Sequence, residues 1–351
     1  MTPILKNYNE NNLKRILFLI VLVGLIIFLG GIAITTGPLD ITVKDAYQVM
    51  FNKIAPGICP SPREHITRTV WMLRFPRYLT AVFVGFTLAV AGAIMQPVLR
   101  NPLASPFTLG ISSGAGFGAS LVLILDAGIF NGRYSIVLNS FIFASISALI
   151  IILISKRKNT SPEIMILTGI AISYFFSSCT TVLQVFAEPW AVTEVVFWMV
   201  GSLSKGTWEN LGYMFPVIIV CVPYLIFKSW DLNIIGTGDD NAKSMGISVE
   251  RTRISLMVLC SLATASVVCF TGTIGFVGLV APHIARMSIG GDNTFVVPAA
   301  GLIGAFLLVI SDFMAVNIVS PVILPIGVVT SFMGVPLFIY LIMRRKRETW
   351  R

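Results

Sequence analysis

Long runs of apolar residues, separated by short clusters of polar, glycine and proline residues, organise this chain of 351 residues. The runs are continuous rather than alternating, and many reach the length of about 20 residues that a helix needs to cross a bilayer. Because backbone polar groups in hydrocarbon must be satisfied internally, continuous runs favour a helical bundle over a closed barrel. The pattern predicts an all-α, polytopic membrane bundle that forms one transmembrane domain over residues 1–351.

The breaks between the runs predict about ten transmembrane helices. A long polar outer loop, 35–70, follows the first helix, and its part 41–51 is amphipathic enough to lie on the membrane surface. A connecting segment is expected at 190–206, and 229–253 forms a polar cytoplasmic loop. The predicted spans are 14–34, 73–99, 107–126, 135–155, 163–187, 209–228, 254–271, 274–289, 294–317 and 322–343. The second and third spans fill 73–126, and the last four fill 254–343.

The charges refine this topology. Only 12% of the residues are charged, the mean hydropathy is +0.87, and the net charge is +9. The basic residues lie at the ends of apolar runs, which indicates membrane orientation rather than nucleic-acid binding. With both termini cytoplasmic, 17 of the 25 Lys and Arg residues fall inside, as the positive-inside rule expects. Six basic residues between Lys44 and Arg77 oppose the trend, either for function or because long outer loops tolerate charge.

The cysteines indicate neither a disulfide framework nor a metal site. There are five, four of them inside apolar runs, and none forms a CxxC pair. We expect buried structural thiols, no bound metal and no cofactor.

The sequence Arg74-Phe75-Pro76-Arg77 opens the second span. Proline suits the first turn of a helix, where free N–H groups and the helix dipole favour anions. Arginine binds carboxylates in a two-pronged geometry. Arg74 and Arg77 are therefore candidates for an anionic partner at the outer face, and the alternative is that they contact lipid headgroups.

Small residues recur at intervals of four in the next two spans. Gly85, Ala89 and Ala93 do so in the second span. The third span carries Gly110, Gly114 and Gly118. Such faces let helix backbones approach closely in lipid, so we expect these two helices to pack tightly against each other.

Two further segments carry functional signals. In the loop 238–253, Asp239 and Asp240 can begin a short helix, Gly246 can end it, and Ser248 can begin a second one. Two short helices parallel to the membrane would form a docking surface, although the loop could be an ordinary charged connector. In 272–286, Gly275, Gly278 and Pro282 give a glycine-rich, half-length helix of the kind that borders transport pathways.

These segments together resemble a known family. The motifs are RFPR, GxxLAxAGxxMQxxxRNPLAxPxxLGxSxGAG, NAKSMGIS, GxIGFVGLxxPHIxR and LPIGVxTxxxGxPxFxYL, which run from about Arg74 to Tyr340. They are similar to the FecCD-type permeases of ABC importers for iron–siderophore, haem and vitamin B12.

The resemblance implies a ten-helix subunit that dimerises, with the pathway at the dimer axis. It also implies two cytoplasmic ATP-binding subunits and an external substrate-binding protein as partners. The loop matching the docking segment would lie in the ATPase cleft. Its candidate coupling residues are Asp239, Asp240, Ala242, Lys243, Met245, Gly246 and Ile247. Arg74 would contact a glutamate of the binding protein.

One departure from the family pattern affects the assembly. Many members carry an arginine late in the ninth helix and an acidic residue before LPIG, where this chain has Val316 and Ile323. Either one of two usual salt bridges forms per subunit, or a different permease supplies the missing charge. Homodimer and heterodimer both stay open.

Two rival functions fit the sequence less well. An ion-coupled secondary transporter usually needs buried carboxylates, and here Asp126, Glu163 and Asp312 lie only near helix ends. An intramembrane serine hydrolase rests on one match to G-x-S-x-G, residues 110–114, without the strand–turn–helix context that exposes its serine. The sequence has no Walker A loop, so ATP hydrolysis is expected on a separate subunit and the chain is not expected to be an enzyme.

Overall fold

The protein is described by a computed structural model that covers residues 3–36, 39, 41–55, 62–130, 132–157, 161–319 and 321–343. Over these residues the chain is all-helical and contains no strand. Cys59, Lys158 and the basic cluster 344–347, which entered the predictions above, lie outside the described residues.

The regular elements are fifteen α-helices, one π-helical turn and one 3₁₀ turn among the described residues. The helices are α1 (Pro3–Thr35), α2 (Val43–Ile54), α3 (Glu64–Thr69), α4 (Phe75–Val98), α5 (Ile111–Leu125), α6 (Ser135–Arg157), α7 (Pro162–Val185), α8 (Pro189–Val200), α9 (Trp208–Phe227), α10 (Ser229–Ile235), α11 (Asp239–Ser244), α12 (Val249–Thr271), α13 (Val277–Ile289), α14 (Asn293–Asn317) and α15 (Ile326–Met343). The π turn is Val70–Arg74, and the 3₁₀ turn is Pro106–Leu109.

Several of these helices are suited to a membrane. Within the described ranges, seven helical segments are long and apolar enough to cross a bilayer by length and composition. They contain α1, α4, α6, α7, α9, α12 and α14. The helices α5, α8, α13 and α15 are apolar but shorter. The chain is thus an all-helical, multi-pass membrane protein.

Two segments outside the predicted spans contain helices. The segment 190–206, expected to be a connector, contains α8, which begins at Pro189 because proline fits the first helical turn. The outer loop 35–70 contains α2 and α3. Helix α2 begins with a capping box, in which Asp45 and Thr42 exchange hydrogen bonds. The hydroxyl and backbone N–H of Thr42 both donate to the Asp45 carboxylate and lower its pKa.

Helix α4 is the centre of the bundle, and it is the most buried of the candidate spans in the described chain. Its small residues meet α14 and α13 at backbone distance. A methyl group added to Gly85 would overlap the backbone of Gly304, and one added to Gly92 would overlap the carbonyl oxygen of Gly278. Glycine at these positions lets the helices approach until their backbones touch.

The expected tight packing between the second and third spans is wrong. The glycine face of α5 packs against α6, where Gly114 faces Phe143 and Ser147 and Gly118 faces the backbone of Asn139. The periodicity correctly indicated close helix contacts, but spacing alone carries no information about the partner helix. The two glycine faces serve two different pairs of helices.

Helix α1 lies at the edge of the bundle and is held by tyrosines. The hydroxyl of Tyr78 donates to Ile26 O, and that of Tyr47 donates to Ile27 O. Gly30 lies against the ring of Tyr78, where a side chain would collide with it. These contacts connect α1 to α4 and α2 near one end of the molecule.

Replacing Gly92 with alanine should lower stability by about 1–3 kcal/mol, because the new methyl group forces α4 and α13 apart. Thermal unfolding of the purified protein in detergent measures the loss. Gly24→Ala is the matched control, since a methyl group there meets nothing within 4 Å. Equal melting temperatures for the two variants would contradict the close packing.

Candidate functional site

The two ends of α4 define two faces of the molecule, separated by about 36 Å along its 24 residues. The Arg74 face is the end that holds Arg74, Arg77 and Trp208. The Asp239 face is the opposite end, where Arg100 meets Asp239.

A wide π-helical turn, Val70–Arg74, positions the arginines of the Arg74 face. The carbonyl oxygen of Trp71 in this turn accepts a hydrogen bond of 2.7 Å from the indole Nε1 of Trp208. The two indole rings lie 4.7 Å apart between centroids, and the Lys53 ammonium is 5.7 Å from the Trp71 ring. The turn is therefore fixed from α9 on one side and from α2 on the other.

Arg74 is the last residue of this turn and is half-buried. Its Nη1 donates to Ile34 O at 2.9 Å, and its Nη2 donates to Leu39 O at 3.3 Å. A guanidinium has five N–H donors, so these bonds hold the group in place and leave donor capacity for another acceptor. No carboxylate pairs with Arg74 among the described residues.

Arg77, by contrast, is bound by a carboxylate of its own chain. Its Nε lies 3.0 Å and its Nη2 2.8 Å from the oxygens of Asp312 on α14. Both side chains are largely buried, with 20% and 13% of their surface exposed. The pair connects the start of α4 to the end of α14 and gives Arg77 a structural role, while its contact with an external protein stays a prediction.

At the Asp239 face, Asp239 is bound by two arginines. Arg253 of α12 contacts both carboxylate oxygens at 3.0 and 2.8 Å, and Arg100 contacts one at 2.6 Å. The predicted second short helix after Ser248 is wrong, because that segment begins the long helix α12. The second short helix is instead α10, which precedes α11 along the chain.

Helix α11 has one buried and one exposed side. Ala242 packs with Ile235 and Val249 in a small apolar cluster separate from the main core. Asp240, Lys243 and, directly after the helix, Met245 are among the exposed side chains. Gly246 has φ +85°, the left-handed conformation that glycine adopts easily, and it turns the chain so that Ile247 N donates back to Ala242 O. The candidate coupling residues thus form a compact, partly exposed unit.

Between the two faces, several helix ends meet in irregular backbone. After α12 the chain runs unwound through Gly272 to Phe276, which have φ of +70° and +65°. Thr273 donates to Met199 O, and Ile326 N donates to Gly201 O at 3.2 Å. At membrane depth such backbone is tolerated only inside protein or beside a cavity.

Two open cavities adjoin this segment. One, of about 610 Å³, is lined mostly by apolar residues of α8 and α15 and includes Gly275 and Thr273. The other, of about 460 Å³, is lined by Glu194, Lys205 and Ile323 among others. Of the predicted pathway residues, Gly275 lies on a cavity wall. Gly278 packs against α4, Pro282 is buried within α13, and Gly110, with φ +71°, lies against α7.

The G-x-S-x-G segment lacks the geometry of a hydrolase. Ser112 lies in the first turn of α5 and is preceded by a 3₁₀ turn rather than by a strand. The local order is therefore turn–helix, and Gly110 serves as the left-handed residue between the two elements.

Sequence reasoning did not identify the partners of the charged site residues. Asp312 was noted only as a scarce carboxylate, although a charge within an apolar helix usually has a specific partner. From the sequence, Arg100 indicated only topology, and Arg253 indicated only topology and the end of the short helix expected after Ser248. The available signal was that Asp312 is the lone acidic residue in the apolar sequence of α14, which indicates a basic partner elsewhere in the chain.

Comparison with known proteins identifies the family. Residues 20–344 match the FecCD transport family. The chain belongs to this family.

Three similar proteins place the match in context. The chain is 40% identical, over 97% of both chains, to a Methanocaldococcus jannaschii protein whose name describes an ABC transporter permease. It is 33% identical to the Fe(3+)-citrate import system permease protein YfmD of Bacillus subtilis, over 93% of this chain and 95% of that one. A solved structure described as an inward-facing metal-chelate-type ABC transporter has a TM-score of 0.82 and 27% identity, covering 93% of this chain and 99% of that chain.

The protein is accordingly a membrane-embedded permease subunit of the ABC importer type and not itself an enzyme. The prediction of a family resemblance is confirmed.

Replacing Arg77 with methionine should destabilise the protein by about 2–3 kcal/mol, because Asp312 is left as a largely buried, unpaired charge. Thermal unfolding in detergent measures the effect. The double variant Arg77→Met with Asp312→Leu should recover most of the loss. If the double variant is as unstable as the single one, the ion pair is not the cause.

Proposed function

We propose that this permease carries an iron-chelate-type substrate across the cell membrane in an importer driven by two cytoplasmic ATP-binding subunits and supplied by an external binding protein. The observation that carries the proposal is the family match over residues 20–344, together with relatives named for iron citrate and metal-chelate transport. The candidate substrates are siderophores, haem and cobalamin.

The proposed topology has about ten membrane crossings and both termini in the cytoplasm. The described helices supply seven long and four shorter apolar segments, which is close to that number once α8 is taken as partly crossing. The Asp239 face would then be cytoplasmic and the Arg74 face external. The excess of Lys and Arg in the loops at the Asp239 face supports this orientation.

The Asp239 face is the proposed contact for the ATP-binding subunits. Helix α11 projects Asp240, Lys243 and Met245 outward, and the side chain of Met245 is 67% exposed. A short helix with a charged end and an exposed methionine offers both polar and adaptable apolar contacts. Nucleotide-driven closure of the motor subunits would push on this surface and shift the permease between inward-open and outward-open states.

The Arg74 face is the proposed contact for the binding protein. Arg74 is held by two backbone carbonyls and has no carboxylate partner of its own among the described residues. A glutamate of the incoming protein could therefore bind it without displacing an internal ion pair. Because this chain has Val316 and Ile323 at positions often charged in the family, Arg74 is the main charged contact that this subunit offers to the binding protein.

The irregular backbone from Gly272 to Phe276 and the cavities beside it form the proposed pathway wall. The walls are mostly apolar, which suits a bulky chelate that must pass without binding tightly. A second permease subunit, identical or different, would close the open side of these cavities. The pairing of Asp312 with Arg77 leaves no free carboxylate at that position for ion-coupled transport.

Purification of the protein with its ATP-binding subunits and binding protein, followed by reconstitution in lipid vesicles, tests the function. ATP supplied on the side of the membrane that carries the ATP-binding subunits should drive uptake of ferric siderophore, haem or cobalamin. The affinity of the binding protein for each ligand should determine which of the three is transported. Molybdate, a small oxyanion, serves as the contrasting ligand. Uptake of none of the chelates with an active motor would refute the substrate class.

The same assay examines the coupling surface. Gly246→Val forces a β-branched residue into the left-handed region and should reduce uptake per ATP hydrolysed at least severalfold. Gly246→Asn is the matched control, because asparagine tolerates that conformation and a side chain there meets nothing within 4 Å. Normal coupling in the valine variant would remove α11 and its turn from the mechanism.

Replacing Arg74 with glutamate should weaken binding of the loaded binding protein by at least about tenfold, since an attractive charge contact becomes repulsive. Surface plasmon resonance on the reconstituted complex measures this affinity. Arg133→Gln is the control, because Arg133 is a well-exposed arginine that neighbours Glu209 beside Trp208. An unchanged affinity in the Arg74 variant would show that the binding protein docks elsewhere.

A further inference from the structure

Asp239 lies at a junction of three elements of the chain. It begins α11, its carboxylate accepts two hydrogen bonds from Arg253 of α12, and it accepts another from Arg100 in the turn that follows α4. Glu163 at the start of α7 also interacts electrostatically with both arginines. One carboxylate thus connects the exposed short helix to two parts of the membrane-embedded bundle.

The burial of these groups separates Asp239 from its neighbour. The side chain of Arg253 is 5% exposed and that of Asp239 is 32% exposed, whereas Asp240 is fully exposed and lies 3.5 Å from the Lys243 ammonium. A guanidinium buried to this degree needs its carboxylate, because removal of one partner leaves an uncompensated charge. Asp239 is therefore directed inward, while Asp240 is directed towards solvent.

The backbone at Arg100 provides a second, independent observation. Asn101 N donates to Gln96 O and Arg100 N donates to Pro97 O, the two hydrogen bonds of a Schellman motif that ends α4. Arg100 occupies the left-handed position of this motif, with φ +47°, where glycine is strongly preferred. An arginine thus occupies a position whose conformation disfavours it, and its side chain extends to Asp239.

We propose that Asp239 is a positioning residue, which joins α11 to α12 and to the turn after α4 so that all three move as one unit when the motor subunits displace α11. This inference rests on the proposed function and refines it, because Asp239 then acts through Arg100 and Arg253 and not by contact with the ATP-binding subunit. Asp240, Lys243 and Met245 remain as the contact residues. Motion of the cytoplasmic surface would reach α4, the central helix, directly through Arg100.

A distance measurement tests the junction without requiring transport. Spin labels at Ser244 of α11 and Leu103 of the turn after α4, both exposed, report the separation of the two elements in a variant with the native cysteines replaced. Asp239→Asn should broaden the distance distribution measured by double electron–electron resonance, and Asp239→Glu should restore most of it. An unchanged distribution in the asparagine variant would overturn the proposal.

A functional measurement then separates positioning from contact. In the complex with ATP-binding subunits, Asp239→Asn should leave motor binding within about twofold of wild type but reduce substrate-stimulated ATP hydrolysis at saturating motor about tenfold. Asp240→Asn should show the opposite pattern, with weaker motor binding and normal stimulation at saturation. If Asp239→Asn behaves as Asp240→Asn does, Asp239 is a contact residue. Failure of the wild type to bind any ATP-binding subunit would instead count against the proposed function.

Arg100→Gly distinguishes loss of the junction from misfolding of the aspartate variants. Glycine relieves the backbone at the left-handed position, so thermal stability should stay equal to or above wild type. Stimulated ATP hydrolysis should nevertheless fall severalfold, because one arm of the junction is lost. Full stimulation in this variant would contradict transmission through Arg100.

Discussion

The bundle depends on close backbone contact along α4. In lipid the hydrophobic effect does not drive one helix against another, so association relies on packing and on polar contacts between helices. Gly85 against Gly304 and Gly92 against Gly278 bring α4 to backbone distance from α14 and α13. Once α4 is fixed, its two ends set the positions of Arg77 and Arg100, and the ion pairs of both faces follow from that placement.

Hydropathy was sufficient to predict the class of fold, and the punctuation by Gly and Pro gave most of the helix limits to within a few residues. The prediction failed where a sequence pattern indicated a close contact but not which helix makes it. The four-residue spacing of Gly110, Gly114 and Gly118 indicated a close contact but could not identify α6 as the partner. The segment that begins at Pro189 was too short and too aromatic to be assigned as a helix from its pattern. In the structure it packs against α5, a tertiary contact that the local sequence does not reveal.

For the candidate site, sequence motifs located the segments but not the pairing of their charges. Arg74 and Arg77 are three positions apart and looked equivalent, yet one binds backbone carbonyls and the other binds Asp312. Asp239 and Asp240 are adjacent and face opposite directions. Such differences depend on helix phase and on residues 235 and 14 positions away along the chain, which only the three-dimensional arrangement supplies.

The π-helical turn at Val70–Arg74 has one more consequence. A π turn is equivalent to one residue inserted into an α-helix, and each residue of a helix advances by about 100° around its axis. Helix α3, which continues directly into the turn, is therefore rotated by roughly that angle relative to α4. The extra residue gives α3 an orientation that an uninterrupted α-helix would not allow, while α4 keeps its glycine face on α14. Helix α3 and the central helix can thus each keep their own packed face, with the turn absorbing the difference in helical phase.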